Sequence, residues 1–360
     1  MTQTNRLRVA VLSNGGSSAQ ESKKVNSELW AVLAAIRFGL AVWVLFAHSY
    51  NFGATKLLPP VPSLNALVAV YGFLAISGFS IRHSIAYKPA GFLYRRFWRI
   101  VPVHIASVFL ALFVYVLCQG NLVDGFKNQV SMPDKLHWFG CLFLLQAVYP
   151  VAIDILFPAW SLSIEVIFYL IAPVMRRISA IAIVLLIGSV SFYFYRPLIS
   201  PDYIGLDTYG ISALALFWAW LSGWIAYEFR GNKWMLLFLG GVGCLCIAGD
   251  PLLSGCANYA IWFAIIFVQM SWPNLKIQPS VERVLNYLGE ISYPIYLIHY
   301  PILFLLCNYK HVPSLAKNAA VVQILIVVIV SIGVFHIVDN PLRRRFSGSR
   351  ICKQIFAFKK

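Results

Sequence analysis

The chain has 360 residues, of which 60% are hydrophobic and 12% charged, with a formal net charge of +16. A soluble domain carries about twice that charged fraction, so the composition excludes an ordinary soluble enzyme and indicates a polytopic membrane protein. The basic residues sit in short runs between apolar segments, which excludes a nucleic-acid footprint and leaves them as orientation signals.

Residues 1–28 are polar apart from Val9 to Leu12, too brief an apolar run for a signal-peptide core, and read as a cytoplasmic tail. Ten apolar segments follow, at about 29–50, 64–82, 100–118, 160–175, 179–195, 209–228, 234–249, 256–272, 288–307 and 318–338. Several fall short of the ~20 residues of a perpendicular span, so tilt or extension is expected. Residues 29–340 form the membrane domain, and 341–360 a basic cytoplasmic tail. The expected fold is all-α, a bundle of about ten transmembrane helices with both termini cytoplasmic.

Charge bias fixes this count. Ten spans place 22 of the 29 Lys and Arg residues inside and six outside, with Arg37 within a span. Segment 136–149 is apolar but short. Counting it as an eleventh span leaves 12 inside against 16 outside, so it is expected as an interfacial or re-entrant piece of the outer face. The seven cysteines have no framework spacing, and Cys244 and Cys246 read as packing residues.

Five stretches depart from a plain apolar pattern. In the first span, Arg37 and His48 are eleven positions apart, about three helical turns and roughly 16 Å on one face. They read either as a snorkelling Arg with an interfacial His, or as a polar seam facing other helices. In the second, Ser77-Gly78 suits close backbone approach. At 92–104, Arg95, Arg96 and Arg99 alternate with aromatics, as a topology anchor or as a site for a phosphorylated cytoplasmic molecule. In WSLSIEVIFYL, residues 160–170, Trp160 marks the outer interface, while Ser161, Glu165 and Tyr169 share a face. In LGEISYPIYLIH, residues 288–299, Pro294 loosens a helix whose polar tips are Ser292, Tyr293, Tyr296 and His299. Near the end of the last span, Asp339 is placed to cap or to pair with the nearby arginines.

In this order the stretches resemble the acyltransferase 3 family of integral-membrane O-acyltransferases. The matching residues are Arg37-x10-His48, SGF at 77–79, RRFWRIVP at 95–102, WSLSIEVIFYL at 160–170 and LGEISYPIYLIH at 288–299. Where many members have Gly-Val-Asp before the second span's Phe run, this chain has Ala69-Val70-Tyr71, a departure that bears on the acceptor class.

The resemblance implies a multi-pass protein of a bacterial inner membrane. It implies transfer of an acyl group, usually acetyl, from cytoplasmic acyl-CoA to a hydroxyl of a cell-surface or lipid-linked glycan, with no permanently bound cofactor and no metal. Arg37 and His48 would be the essential pair, with His48 as general base or nucleophile. Glu165 would orient the imidazole, and Arg95, Arg96 and Arg99 would bind the CoA phosphates. Ser77, Trp160, Ser161, Tyr169, Tyr296 and His299 would contact substrate. The rival reading is a transporter or flippase of a lipid-linked sugar or acylated product, since buried His, Glu and Arg also serve transport paths.

Overall fold

The computed structural model describes residues 26–52, 65–118, 122–124, 128–176, 181–200, 209–253, 255–271, 276–312 and 320–347. Most of both expected tails, together with Lys56, Lys127, Arg177 and Lys317, lies outside the described residues.

Ten long helices occupy the ten apolar segments. They are α1 Ser27–Asn51, α2 Ala66–Tyr87, α3 Phe92–Leu117, α5 Ala159–Met175, α6 Ala182–Tyr195, α7 Ile211–Glu228, α8 Lys233–Ala248, α9 Cys256–Ser271, α10 Pro279–Asn308 and α11 Ala320–Val334. Among the described residues there are also two short helices, α4 Lys135–Leu142 and α12 Asn340–Ser347, and a two-residue antiparallel pair that joins Leu122–Val123 to Gln129–Val130. Six helical stretches are long and apolar enough to cross a membrane, and α5, α8 and α9 are shorter apolar helices. The chain is an all-α polytopic bundle.

Polar caps start several helices. Asn26 accepts from the Leu29 amide, Asn65 from the Leu67 amide, and Asn232 from those of Trp234 and Met235. Two helices begin well before the hydropathy suggests, α3 at Phe92 and α10 at Pro279. Backbone hydrogen bonding continues through their polar first turns, whereas hydropathy detects only the apolar part.

Segment 136–149 is not an eleventh helical span. Its only helix is the eight residues of α4, after which the chain turns at Leu144 with φ 57°. Side chains of the bundle satisfy its backbone: His104 Nε2 donates to the Cys141 carbonyl at 2.9 Å. Ser163 Oγ donates to the Leu144 carbonyl at 2.5 Å and accepts from the Ala147 amide at 3.1 Å. Leu136, Phe139 and Phe143 remain exposed.

Small residues set the helix packing, as required where lipid tails are as apolar as the helices themselves. A Cβ on Gly78 of α2 would collide with the Trp220 carbonyl of α7, and a Cβ on Gly223 of α7 would collide with the Ala75 carbonyl of α2. The two backbones therefore lie in direct contact, as Ser77-Gly78 suggested. On the same helix pair Arg82 is ion-paired with Glu228 and faces the rings of Trp224 and Tyr227. The longest helix, α10, packs along α1, with Gly289 against Ala34.

A π-helical turn, Phe335–Asp339, links α11 to α12. Asp339 is buried there and pairs with Arg343 at 3.8 Å, as its position predicted. Arg343 also reaches Glu290 of α10 at 3.1 Å, and Phe346 stacks on Trp98 of α3 at 4.0 Å.

Candidate active site

Five helices enclose a cavity of about 90 Å³. From α1 comes Arg37, from α3 Arg96 and Arg99, and from α5 Ser161, Glu165 and Tyr169. From α10 come Ser292, Tyr293 and Tyr296, while α2 supplies Ser77 and Ser80. The sequence spacing explains the α5 set: Ser161, Glu165 and Tyr169 recur every four residues on one face.

Glu165 is the hub of the α2–α5 wall. Its Oε1 accepts from Ser77 Oγ and from the Tyr169 hydroxyl, both at 2.6 Å. Arg96 lies over the rings of Phe92 and Tyr169, 5.6 and 5.5 Å from their centroids. Arg37 shares this lining with Arg99, Arg96 and Glu165, and its Nε is buried without a hydrogen-bond partner among the described residues. Three guanidinium groups thus face one carboxyl across a single cavity, an arrangement suited to an anionic or strongly polar ligand.

His48 and His299 do not line this cavity. They pair with each other: His48 Nδ1 lies 2.8 Å from His299 Nε2. The ring planes are 8° apart with centroids 5.1 Å apart. With a short N–N contact, these values describe rings joined edge to edge in nearly one plane rather than stacked face to face. His299 Nδ1 in turn lies 3.1 Å from the Ile295 carbonyl oxygen. A carbonyl only accepts, so the neutral His299 carries its proton on Nδ1 and presents a lone pair at Nε2. His48 must then donate from Nδ1, which leaves its own Nε2 unprotonated.

Tyr296 stands between the two sets. It lines the cavity, and its ring lies 6.1 Å from that of His299. Its hydroxyl shares a 2.6 Å hydrogen bond with Ser161 Oγ and donates to the Pro158 carbonyl at 3.3 Å.

The structure brings Arg37, Arg96, Arg99, Ser77, Ser161, Glu165, Tyr169 and Tyr296 together around one space. Outside this lining lie His48, His299, Arg95 and Trp160. The hydrogen-bond partner of His48 is His299, not Glu165, whose carboxyl is held by Ser77 and Tyr169. Arg95 donates to the backbone carbonyls of Lys88 and Ala90, bracing the turn between α2 and α3. Trp160 is buried in the first turn of α5, outside the cavity lining. Tyr71, at the position of the departure, is bonded to the Tyr193 hydroxyl at 3.2 Å and packs against Trp218, also outside the lining. Ser80 and Tyr293 were missed as site residues. Ser80 follows Ser77 by one turn, and Tyr293 donates to the Ile100 carbonyl at 2.8 Å.

The fold and site together define a helical membrane protein with a cationic cavity inside the bundle and a histidine pair beside it. A family model described as an acyltransferase domain, that of acyltransferase 3, matches residues 30–338. The chain belongs to the acyltransferase 3 family. No curated protein and no solved structure matches it.

Proposed function

We propose that the protein moves an acyl group, usually acetyl, from cytoplasmic acyl-CoA to a hydroxyl of a cell-surface or lipid-linked glycan at the outer side of an inner membrane. The observation that supports this most is a cationic cavity, lined by Arg37, Arg96 and Arg99, beside a histidine pair in which Nε2 of His48 is unprotonated.

Arg96 and Arg99 bind donor phosphates, and Arg95 acts by holding the turn before them. Arg37 lies about 16 Å below His48 along the helix and steadies the donor's pantetheine arm. Glu165, with Ser77 and Tyr169, fixes the opposite wall and offsets part of the positive charge. Tyr296 marks the end at which the thioester meets the acceptor.

The reaction balances without an added reagent. His48 Nε2 takes the proton of the acceptor hydroxyl as its oxygen attacks the thioester carbonyl carbon. The carbon–sulfur bond breaks, and the imidazolium returns the proton to the leaving sulfur, giving an ester and free CoA. While His48 is protonated, its Nδ1–H stays bonded to the lone pair of His299, which lowers the cost of the charge in a buried site.

Membranes holding the protein, supplied with acetyl-CoA labelled in the acetyl group, test the reading. It predicts label in a glycan fraction with stoichiometric release of CoA. Glycan transport without either result would overturn it.

A further inference from the structure

A second cavity, of about 320 Å³, opens at the α2–α3 turn. Its lining includes Arg37, Ser80, Arg96 and Arg99, all of which also line the first cavity, so the two adjoin. Lys88 and Arg95 add to its basic side.

The other side is aromatic. The His83 ring lies 5.0 Å from that of Trp30 and 4.6 Å from that of Tyr87, and all three residues line the cavity. Tyr227 closes on His83 from behind at 5.6 Å. His83 Nδ1 is buried and has no hydrogen-bond partner among the described residues. A cluster of aromatic rings with an unused ring nitrogen, set against a row of cations, matches a flat heterocycle carrying phosphates. Aromatic faces bind any base by stacking, guanidinium groups bind phosphate, and a ring nitrogen offers one directional hydrogen bond.

We infer that the Trp30–His83–Tyr87 wall is the adenosine subsite for the donor, with the base on the aromatic rings and its phosphates on Lys88, Arg96 and Arg99. The inference rests on the reading of acyl-CoA as donor. It adds that the donor is held by its nucleotide end, about two helical turns from the arginine that steadies the pantetheine arm. That spacing follows from the rise between Trp30 and Arg37 on α1.

Equilibrium binding of radiolabelled adenosine 3′,5′-bisphosphate to the purified full chain in lipid nanodiscs tests the subsite without requiring turnover. Wild type should bind. Trp30→Ala and His83→Ala should each weaken binding about 5- to 150-fold, the loss of one base-stacking contact. Trp30→Phe keeps a ring and should stay within a few-fold of wild type, which separates loss of stacking from loss of fold. No binding by wild type, or equal binding by wild type and Trp30→Ala, would overturn the subsite. Binding that behaves as described in a protein that transfers no acetyl group from acetyl-CoA would support the subsite and overturn the donor reading.

Discussion

His48 of α1 and His299 of α10 share a 2.8 Å hydrogen bond between rings that lie nearly in one plane. Because His299 is itself tied to the Ile295 carbonyl, the direction of both bonds is fixed, and so is the free nitrogen of His48. On the proposed mechanism His299 would act through His48, as a positioning residue. His299→Ala is expected to lower acyl transfer roughly 10–100-fold, the scale on which outer orienting partners count. It should spare donor affinity. Single-turnover rates and donor binding measured on the same sample check this. A rise in donor Kd with no change in rate would place His299 on the substrate path instead.

The donor arginines should differ among themselves. A charge-assisted phosphate contact is worth on the order of 1.5–3 kcal/mol. Arg96→Ala and Arg99→Ala are thus each expected to raise donor KM about 10- to 150-fold. Arg95 is bonded to the 88–90 turn, so Arg95→Ala should loosen that turn and reduce protein stability as well as donor affinity. Donor KM and thermal unfolding midpoints for the three variants check the division.

The α2–α7 contact leaves no space for a methyl group at either glycine. Gly78→Ala and Gly223→Ala should each destabilise the bundle by about 1–3 kcal/mol or more, since the obstacle is backbone carbonyl rather than a flexible side chain. Thermal unfolding in a fixed detergent measures it. Gly39→Ala is the control, because a Cβ there meets nothing within 4 Å.

Asp134 caps α4 in the loop outside the spanning helices. It accepts from the His137 amide at 2.9 Å and from His137 Nδ1 at 2.7 Å. The hydrogen bond from the His137 side chain, more than that from its amide, holds the Asp134 carboxyl below the usual range. A depressed folded pKa contributes stability above the unfolded value, and the contribution is lost as pH falls through the folded one. Hydrogen exchange at the α4 amides should therefore quicken as pH drops below the ordinary carboxylate range, after correction for intrinsic rates. Asp134→Asn should keep the cap and flatten that dependence.

The fold was largely legible because each span is an apolar run between polar breaks, and because an ionisable group in such a run is conspicuous. Arg37, Glu165 and the arginines of α3 stood out for that reason, and the i,i+4 spacing of Ser161, Glu165 and Tyr169 gave their shared face. What escaped was pairing at long range. His48 and His299 are 251 positions apart, and spacing within a helix cannot tell which distant helix supplies a partner. Arg95 looked equivalent to Arg96 and Arg99, and only the path of the α2–α3 turn distinguishes it. Nothing in the spacing singles out Trp30 or His83, and they come together only once α1 and α2 pack.

Glu165 separates two accounts of the base. If its carboxyl fixes the cavity wall through Ser77 and Tyr169, Glu165→Gln should cost less than removal of the His48 imidazole, and Tyr169→Phe should share part of the loss. Equal losses in Glu165→Gln and His48→Ala would make the carboxyl the base. Single-turnover rates for all three variants decide it.

The most direct measurement of the central claim is single-turnover acyl transfer by purified His48→Ala and His48→Gln, with insertion and acyl-CoA binding confirmed for each. The account predicts intact binding and a rate loss of at least about 10²–10⁴-fold in both, since an amide keeps a hydrogen bond but accepts no proton. Transfer near the wild-type rate in His48→Ala would contradict it, and would make the His48–His299 pair a structural contact between α1 and α10.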